Sequence, residues 1–384
     1  MMAWLFALAT LGIWLHLMFG RGWFWLTRER DDRNEPSDPE TWPAVVAVVP
    51  ARNEADVIAT SVGSLLAQDY PGDFRVILID DQSDDGTAEA AKAAATVQQA
   101  ADRLTILIGK APPEGWTGKL WAMQQGVAKA GNKPAYLWFT DADIAHSPDN
   151  LRRLVARAEA GGLTLVSLMA RLHCATLPER LLIPAFVFFF DMLFPFAWVN
   201  QPDHAVAAAA GGCMLARREA LEAAGGIESI RREIIDDCAL GRRMKEQGPI
   251  WLGLTERATS LRPYLTVGEI GRMISRTAFA QLKYSVWVLV GTVMAMIVTY
   301  LAPIVLTLFG HGLQQIIGAV VWAMMTLAFL PMLKFYRVSP LWALALPVIG
   351  TIYTGFTIAS AVQVWRGKGG MWKGRAQAIT GPDA

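Results

Sequence analysis

Charge is scarce in this chain, and the scarcity is local. Lys, Arg, Asp and Glu make up 18% of 384 residues, against about 25% in soluble domains, while apolar residues make up 53%. Residues 1–20, 284–333 and 338–365 contain none of the four charged types. About 20 helical residues cross a hydrocarbon core of about 30 Å, so each run is long enough to span it and the middle one could do so twice. Gly310-His311-Gly312 interrupts the middle run as a tight turn. The expectation is four transmembrane helices, near residues 2–20, 286–309, 313–333 and 341–364. The first run has no basic residue before its apolar stretch and no small-x-small cleavage signal, which favours an uncleaved anchor over a signal peptide.

Other shortages exclude whole classes. Net charge is only +1, so bulk electrostatics points to no nucleic acid and no acidic partner. Cys174, Cys213 and Cys238 are the three cysteines, without metal-ligand spacing, and read as free thiols in a reducing compartment. No Ser/His or Cys/His constellation stands out, and neither does an internal repeat. Arg21, Arg28, Arg30 and Arg33 follow the first run and, by the positive-inside rule, hold the next segment in the cytoplasm. Four spans would then put the tail at 366–384 outside, although Arg366, Lys368, Lys373 and Arg375 favour the inside. Either the tail is translocated against the rule or one carboxy-terminal segment is re-entrant or interfacial.

What is present lies mostly between residues 43 and 270, after a basic and proline-bearing linker at 21–42. Short apolar runs alternate with amphipathic ones. Strands are predicted at 44–49, 75–79, 104–108, 136–139 and 163–168, and helices at 54–68, 88–101 and 119–129. Another helix is predicted to start at Ser147-Pro148, an N-cap followed by proline. This alternation implies a mainly parallel sheet with helices on both faces, whose ligands bind beyond the carboxyl ends of the strands. A membrane region at 271–365 follows.

The strand ends carry the chemistry. After the first comes Pro50-Ala51-Arg52-Asn53-Glu54, after the second Asp80-Asp81-Gln82-Ser83-Asp84-Asp85, and after the fourth Asp141-Ala142-Asp143. Six aspartates converging on one sheet edge repel one another, and a divalent cation with a polar ligand would relieve this. Asp141 and Asp143, two apart in an extended segment, point the same way. They form a hard-oxygen pair suited to Mg²⁺ or Mn²⁺ and, through it, to a nucleotide diphosphate. The plainer reading, a helix cap or polar turn, fits the triplet taken alone.

The set VVPARNE (48–54), LIDDQSDDGT (78–87), FTDAD (139–143), GGCMLARREALEAAGGIE (211–228) and IIDDCALGRRM (234–244) resembles the family 2 glycosyltransferases, in their order and spacing. The resemblance implies the GT-A fold, a Rossmann-like α/β sheet. It implies that Pro50, Arg52 and Glu54 line the nucleotide site and that Asp80 meets the base edge, usually uracil. It gives Asp141 and Asp143 the metal and diphosphate, and Asp237 the role of catalytic base beside Asp236, where the family has Glu. Helix N-capping by Asp236 and Asp237 is compatible with that role.

GWTGKLWAMQQG (115–126) is similar to a narrower, lipid-glycosylating subgroup, with Lys119 at a helix start either able to meet a phosphate or an ordinary helix-terminal lysine. Gly211-Gly212 would bring backbone close to the acceptor. The polysaccharide synthases' Q-x-x-R-W motif is missing from GRMISRTAFAQLKYS (271–285), which argues against a processive polymerase. Arg272 and Arg276 there face the diphosphate or flank the next span. Residues 181–199, mostly apolar and aromatic, are expected as an interfacial segment of the catalytic domain that presents a lipid acceptor, with a buried core helix as the plainer alternative.

The tail GKGGMWKGR (367–375) and the arrangement as a whole most resemble the hopanoid-biosynthesis-associated glycosyltransferases. A UDP-sugar donor, a membrane lipid acceptor and a lipid bilayer are thus the expected partners, at a bacterial-type inner membrane with the catalytic domain facing the cytoplasm. Two alternatives stay open: a polyprenyl-phosphate glycosyltransferase, and a non-catalytic membrane scaffold or lipid carrier.

Overall fold

The computed structural model describes residues 2–367, Gly369 and the backbone of 371–372 and 375–376. Most of the basic tail expected at 366–384 lies outside these. The chain forms two compact units. The α/β unit comprises Glu29–His173 and Trp198–Pro263; the helical unit comprises the amino-terminal helix, Cys174–Ala197 and the chain from Tyr264 through the last long helix.

In chain order the elements are α1 (Met2–Phe19), β1 (Val45–Ala51), α2 (Ile58–Leu66), β2 (Phe74–Asp80), α3 (Thr87–Val97), β3 (Leu104–Ile108), α4 (Gly118–Ala130), β4 (Tyr136–Phe139) and β5 (Ile144–His146). There follow α5 (Asn150–Ala160), β6 (Leu165–Arg171), α6 (Leu177–Leu193), α7 (Phe196–Val199), β7 (Met214–Arg217), α8 (Arg218–Ala223), α9 (Asp236–Lys245) and β8 (Ile250–Ser260). The helical unit continues with α10 (Val267–Ser275), α11 (Ala278–Gln281), α12 (Val286–Met296), α13 (Ala302–Phe309), α14 (Leu313–Tyr336) and α15 (Leu346–Trp365).

One eight-stranded sheet, in the order β3-β2-β1-β4-β7-β6-β8-β5, builds the α/β unit. β1 runs parallel to β2 and β4, β2 to β3, and β6 to β8. β7 is antiparallel to β4 and β6, and β5 to β8. β1 is buried along its whole length, as a central strand covered on both faces must be. Val45, Ala47, Val49 and Ala51 join one core cluster with Ile58, Val62, Ala91, Leu151 and Leu154, residues of α2, α3 and α5. The opposite face takes α4. There a Cβ on Gly126 would stand 2.5 Å from Val48 and 2.6 Å from Ile79, so only glycine lets the helix approach this closely.

Some expectations shift. The helix predicted from residue 54 starts at Ile58, because Asn53 is left-handed (φ 51) and residues 53–55 give their N–H groups to the 83–87 loop. The helix predicted from Ser147-Pro148 starts at Asn150: the Ser147 N–H bonds the Arg257 carbonyl and the Pro148 carbonyl accepts from Asp69, so both residues brace neighbouring loops. Strands β5, β7 and β8 were not among the predicted ones. The part of the linker from Glu29 onward is strapped to the α/β unit. Arg257 pairs with Asp31 at 3.1 Å, with Asp149 at 2.9 Å and with Glu35.

Among the described residues four helices are long and apolar enough to cross a membrane, all in the helical unit: Met2–Phe19, Val286–Phe309, Leu313–Tyr336 and Pro340–Trp365. The second includes a π-helical turn at Ile297–Leu301. Residues 181–199 depart from expectation. They are divided between α6 and α7, and residues 174–197 cluster with the helical unit rather than the α/β unit. A capping box of Thr176 and Glu179 starts α6. Its aromatic face is already covered: Phe188 sits 5.2 Å from both Phe24 and Phe329, Phe189 sits 4.8 Å from Tyr353, and Tyr353 Oη donates to the Leu182 carbonyl at 2.8 Å.

Candidate active site

The site lies within the α/β unit, where loops after β1, β2, β4 and β8 meet the turn before β7 and the start of α9. Ala51, the last residue of β1, is in register with Asp80, the last of β2, so the loops that follow emerge side by side. They are zipped together. Arg52 donates to the Asp81 and Gln82 carbonyls and lies 4.0 Å from the Asp81 carboxylate. Asn53 N–H reaches Ser83 Oγ at 3.0 Å, Glu54 N–H reaches Thr87 Oγ1 at 2.9 Å, and Ala55 N–H reaches Asp85 at 3.0 Å. Asp80 is buried and accepts the Ser83 N–H at 2.9 Å. Asp85 accepts from Ala55 and twice from Thr87, and so serves the loop itself.

Lys119 is the hub. α4 begins at Gly118 with Thr117 as its N-cap, which places Lys119 in the first turn. The helix dipole disfavours a cation there, and two carboxylates offset it: Lys119 Nζ stands 2.9 Å from Asp141 and 3.0 Å from Asp236. Burial works against the ammonium, but Asp141 and Asp236 outweigh it and raise its pKa. Burial, with Asp143 and Asp236 nearby, raises the pKa of Asp141, against the pull of Lys119. Asp141, after β4, and Asp236, opening α9, are thus drawn to one ammonium.

Asp237 is held from two sides. Its Oδ2 accepts the Gly211 N–H at 3.0 Å and its Oδ1 the Cys238 N–H at 2.7 Å. Burial, followed by the neighbouring Asp236, nevertheless pushes its pKa up to about 6; Lys119 and the two N–H groups pull the other way. β7 explains how Gly211 arrives here, since its pairing of Met214 with Phe139 returns the preceding turn to the carboxyl end of β4. A Cβ on Gly211 would face Lys119 Nζ at 3.4 Å and Asp237 at 3.5 Å. Gly212 faces the interior: its Cβ would meet Ala170 at 3.2 Å, and its carbonyl accepts from Thr140 Oγ1 at 2.9 Å. Gly241 brings α9 close to the Ala208-Ala209 backbone, where a Cβ would come within 2.8 Å. Pro50, Lys119, Thr140, Asp141 and Gly211 are among the residues lining one small cleft.

Asp143 meets a residue that no sequence motif covered. Arg262, just beyond β8, places Nε 3.3 Å from Asp143 Oδ2 and pairs through Nη2 with Glu54. The signal was available. β8 runs parallel to β6, and a basic residue two positions past such a strand belongs on the ligand edge. The run IWLGLTERATS was not recognised as a strand because its second half carries Glu256 and Arg257. His146 also went unread. It is buried, its pKa lowered by burial to about 3, and it bonds Thr140 Oγ1 at 2.9 Å beneath the D-x-D turn.

The arrangement therefore gathers Asp141, Asp236, Asp237, Lys119 and Gly211 closely, with Asp143, Glu54 and Arg262 as a second linked group and Asp80 at the end of the adjoining strand. Cations of the chain neutralise both D-x-D acids, where the sequence had called for a metal ion. Among the described residues no group of three or more His, Cys, Asp or Glu side chains could hold a metal ion. Asp141 and Asp143 supply two hard oxygens, and a cation bound there would take its remaining ligands from a phosphate or water.

Residues 46–225 match the family model described as Glycosyl transferase family 2. This stretch is a family 2 glycosyltransferase domain, an enzyme domain. Glycosyltransferase AglE of Haloferax volcanii is 32% identical over 127 residues, 33% of this chain and 39% of that protein. Succinoglycan biosynthesis protein ExoO of Rhizobium meliloti is 32% identical over 159 residues, 38% of this chain and 42% of that protein. The chain thus spans about two fifths of the length of these curated relatives. The solved mannosyltransferase PcManGT from Pyrobaculum calidifontis, in complex with GDP-Man and Mn²⁺, superposes with a TM-score of 0.56 at 19% identity, covering 93% of this chain and 99% of that one. That likeness shows a shared fold, the GT-A architecture expected from the motifs.

Proposed function

We propose that this chain is an inverting glycosyltransferase that moves a sugar from a nucleoside diphosphate sugar, UDP-linked, to the hydroxyl of a membrane lipid. One observation carries the reading: Lys119 ties Asp141 to Asp236 through ion pairs of 2.9 and 3.0 Å, so the D-x-D arm and the Asp236-Asp237 arm share one site.

In this reading Asp80, Arg52 and Glu54 frame the nucleoside, with Pro50 beneath it. Asp141 and Asp143 fit a Mg²⁺ or Mn²⁺ ion that takes its other ligands from the donor, since they are hard, adjacent and mutually repulsive. When bound, such an ion neutralises charge on the departing diphosphate. Lys119 lies where it can turn from Asp236 toward a phosphate. Asp237 is the base: a carboxylate with a pKa near 6 is ionised at neutral pH and can take a proton. The acceptor oxygen bonds to the anomeric carbon as its proton passes to Asp237, the bond from that carbon to the diphosphate breaks, and nucleoside diphosphate leaves. Gly211, beside Asp237, leaves room for the acceptor.

Four helices able to cross a bilayer support a lipid acceptor, and the motif resemblance makes a hopanoid or related isoprenoid alcohol the first one to try. The arginines after the first span and the buried thiols of Cys213 and Cys238 support a cytoplasm-facing catalytic unit at an inner membrane. The test incubates the purified full chain with UDP- and GDP-sugars and membrane lipid extract, followed by mass spectrometry of the lipids. A hexose-sized mass added to a neutral isoprenoid, lost in Asp237→Asn, supports the proposal. Transfer to a polyprenyl phosphate with Asp237→Asn near normal turnover would establish the phosphate-acceptor alternative instead. No transfer from any donor, with no nucleotide bound, would leave the scaffold alternative.

A further inference from the structure

The two acids of the D-x-D triplet are covered by cations from different parts of the chain, and the two covers differ. Lys119 is gripped by Asp141 at 2.9 Å and Asp236 at 3.0 Å. Arg262 touches Asp143 once, at 3.3 Å, while its Nη2 is paired more tightly with Glu54. Glu54 is itself fixed, buried and with its N–H on Thr87 Oγ1. The Leu261 N–H donates to the Asp143 carbonyl at 2.8 Å, so the strand end bearing Arg262 is pinned to the acid that the arginine covers. Glu54 is thus a pivot and Asp143 a looser contact.

We infer that Arg262 is a donor-binding residue that changes partner: it covers Asp143 while the site is empty and turns to the diphosphate when a metal–nucleotide pair arrives. This rests on the nucleotide-sugar reading above and deepens it. The charges balance. A divalent cation and a doubly negative diphosphate together add no net charge, so the exchange replaces an Asp–guanidinium pair with an Asp–metal contact and a guanidinium–phosphate contact. The planar guanidinium fork suits phosphate oxygens. Its side chain is 30% exposed, so the guanidinium can be reached from solvent while Nη2 stays on Glu54. Metal and nucleotide therefore favour each other: metal alone must displace Arg262 from Asp143 with no phosphate to receive its freed edge.

The test measures two affinities on the detergent-solubilised full chain. Free Mn²⁺ is followed by electron paramagnetic resonance without nucleotide, and UDP and GDP binding by calorimetry at saturating Mn²⁺. Arg262→Gln should bind Mn²⁺ alone about tenfold more tightly than wild type, since Asp143 is uncovered, yet bind the diphosphate about tenfold more weakly. UMP should lose less than UDP. Arg262→Lys, which keeps the charge but not the fork, should fall between the two for the diphosphate. A merely structural arginine would give weakening of both ligands together, and an uninvolved one would change neither; either result overturns the inference. If wild type itself binds neither nucleotide, the proposed donor reading fails, and this inference fails with it.

Discussion

Acid should silence sugar transfer at a pH where ordinary carboxylates are still ionised. Asp237 sits in a partly buried pocket beside Asp236, with Lys119, the Gly211 and Cys238 N–H groups and the Cys238 thiol as its other polar surroundings. Burial and Asp236 lift its pKa from 3.8 to about 6. A base with that value is about half protonated at pH 6 and about nine-tenths protonated at pH 5, so kcat/KM should fall about tenfold per pH unit below pH 6. An unperturbed aspartate would hold the plateau down to about pH 4. The assay is transfer of labelled sugar into lipid at subsaturating donor from pH 4.5 to 8, with Asp237→Asn expected to lose roughly 10²- to 10⁴-fold at every pH. A plateau reaching pH 4.5, or an Asn variant within tenfold of wild type, would refute the assignment of Asp237 as base.

The same displacement has a stability consequence whose sign follows from linkage. A carboxyl group that ionises less readily in the fold than in the unfolded chain loses stability as pH rises from about 4 to about 6. From 3.8 to about 6, at about 1.4 kcal/mol per pH unit, the limit is roughly 3 kcal/mol, and solvent access to a partly buried group reduces it to about 1–2 kcal/mol. Asparagine can accept only one of the two N–H groups now shared by Asp237, so Asp237→Asn should melt below wild type at pH 4.5. The gap should close or reverse by pH 7.5. A melting difference that is constant with pH would mean that Asp237 is not displaced.

Three further outcomes follow from individual contacts. Asp143→Ala should make UDP binding indifferent to Mn²⁺, measured by calorimetry with and without metal; a preserved metal response would remove Asp143 from the cation site. Lys119→Met leaves Asp141 and Asp236 facing each other without their shared cation. It should lower stability by about 2–3 kcal/mol, less than a fully buried pair would lose, with part of the melting temperature restored by Mn²⁺. Gly126→Ala forces a Cβ to within 2.5 Å of Val48 and 2.6 Å of Ile79, and should cost about 1–3 kcal/mol in thermal melting while nucleotide affinity in the surviving folded fraction stays unchanged.

What the sequence disclosed, and what it withheld, follows from how each kind of residue announces itself. β1 and β4 are buried along their whole length and β2 from Val76 onward, so they read as apolar runs, and acids at their ends stand out. The four long apolar helices are legible for the same reason. β8 carries Glu256 and Arg257 in its second half, so it lost the apolar signature, and the ligand-edge position of Arg262 went with it. α6 is legible only in part. Its aromatic run implies burial, in a bilayer interface or in a core, but not the partners, which include Phe24, Phe329 and Tyr353.

The acid cluster itself posed a charge problem that composition could state but not solve. Repulsion among Asp141, Asp143 and Asp236 requires nearby positive charge, and a metal ion is only one source. Lys119 precedes Asp141 by one helix, while Arg262 follows Asp143 by 119 positions, so no local pattern connects them. The fold does, because the carboxyl ends of β4 and β8 and the start of α4 converge on the same acids. In the proposed reading, the ion pairs to Lys119 and Arg262 hold in reserve the two carboxylates assigned to the metal, Asp141 and Asp143. On that reading, affinity for a cation depends on where the displaced ammonium and guanidinium can go, and the proposed diphosphate would offer both a place.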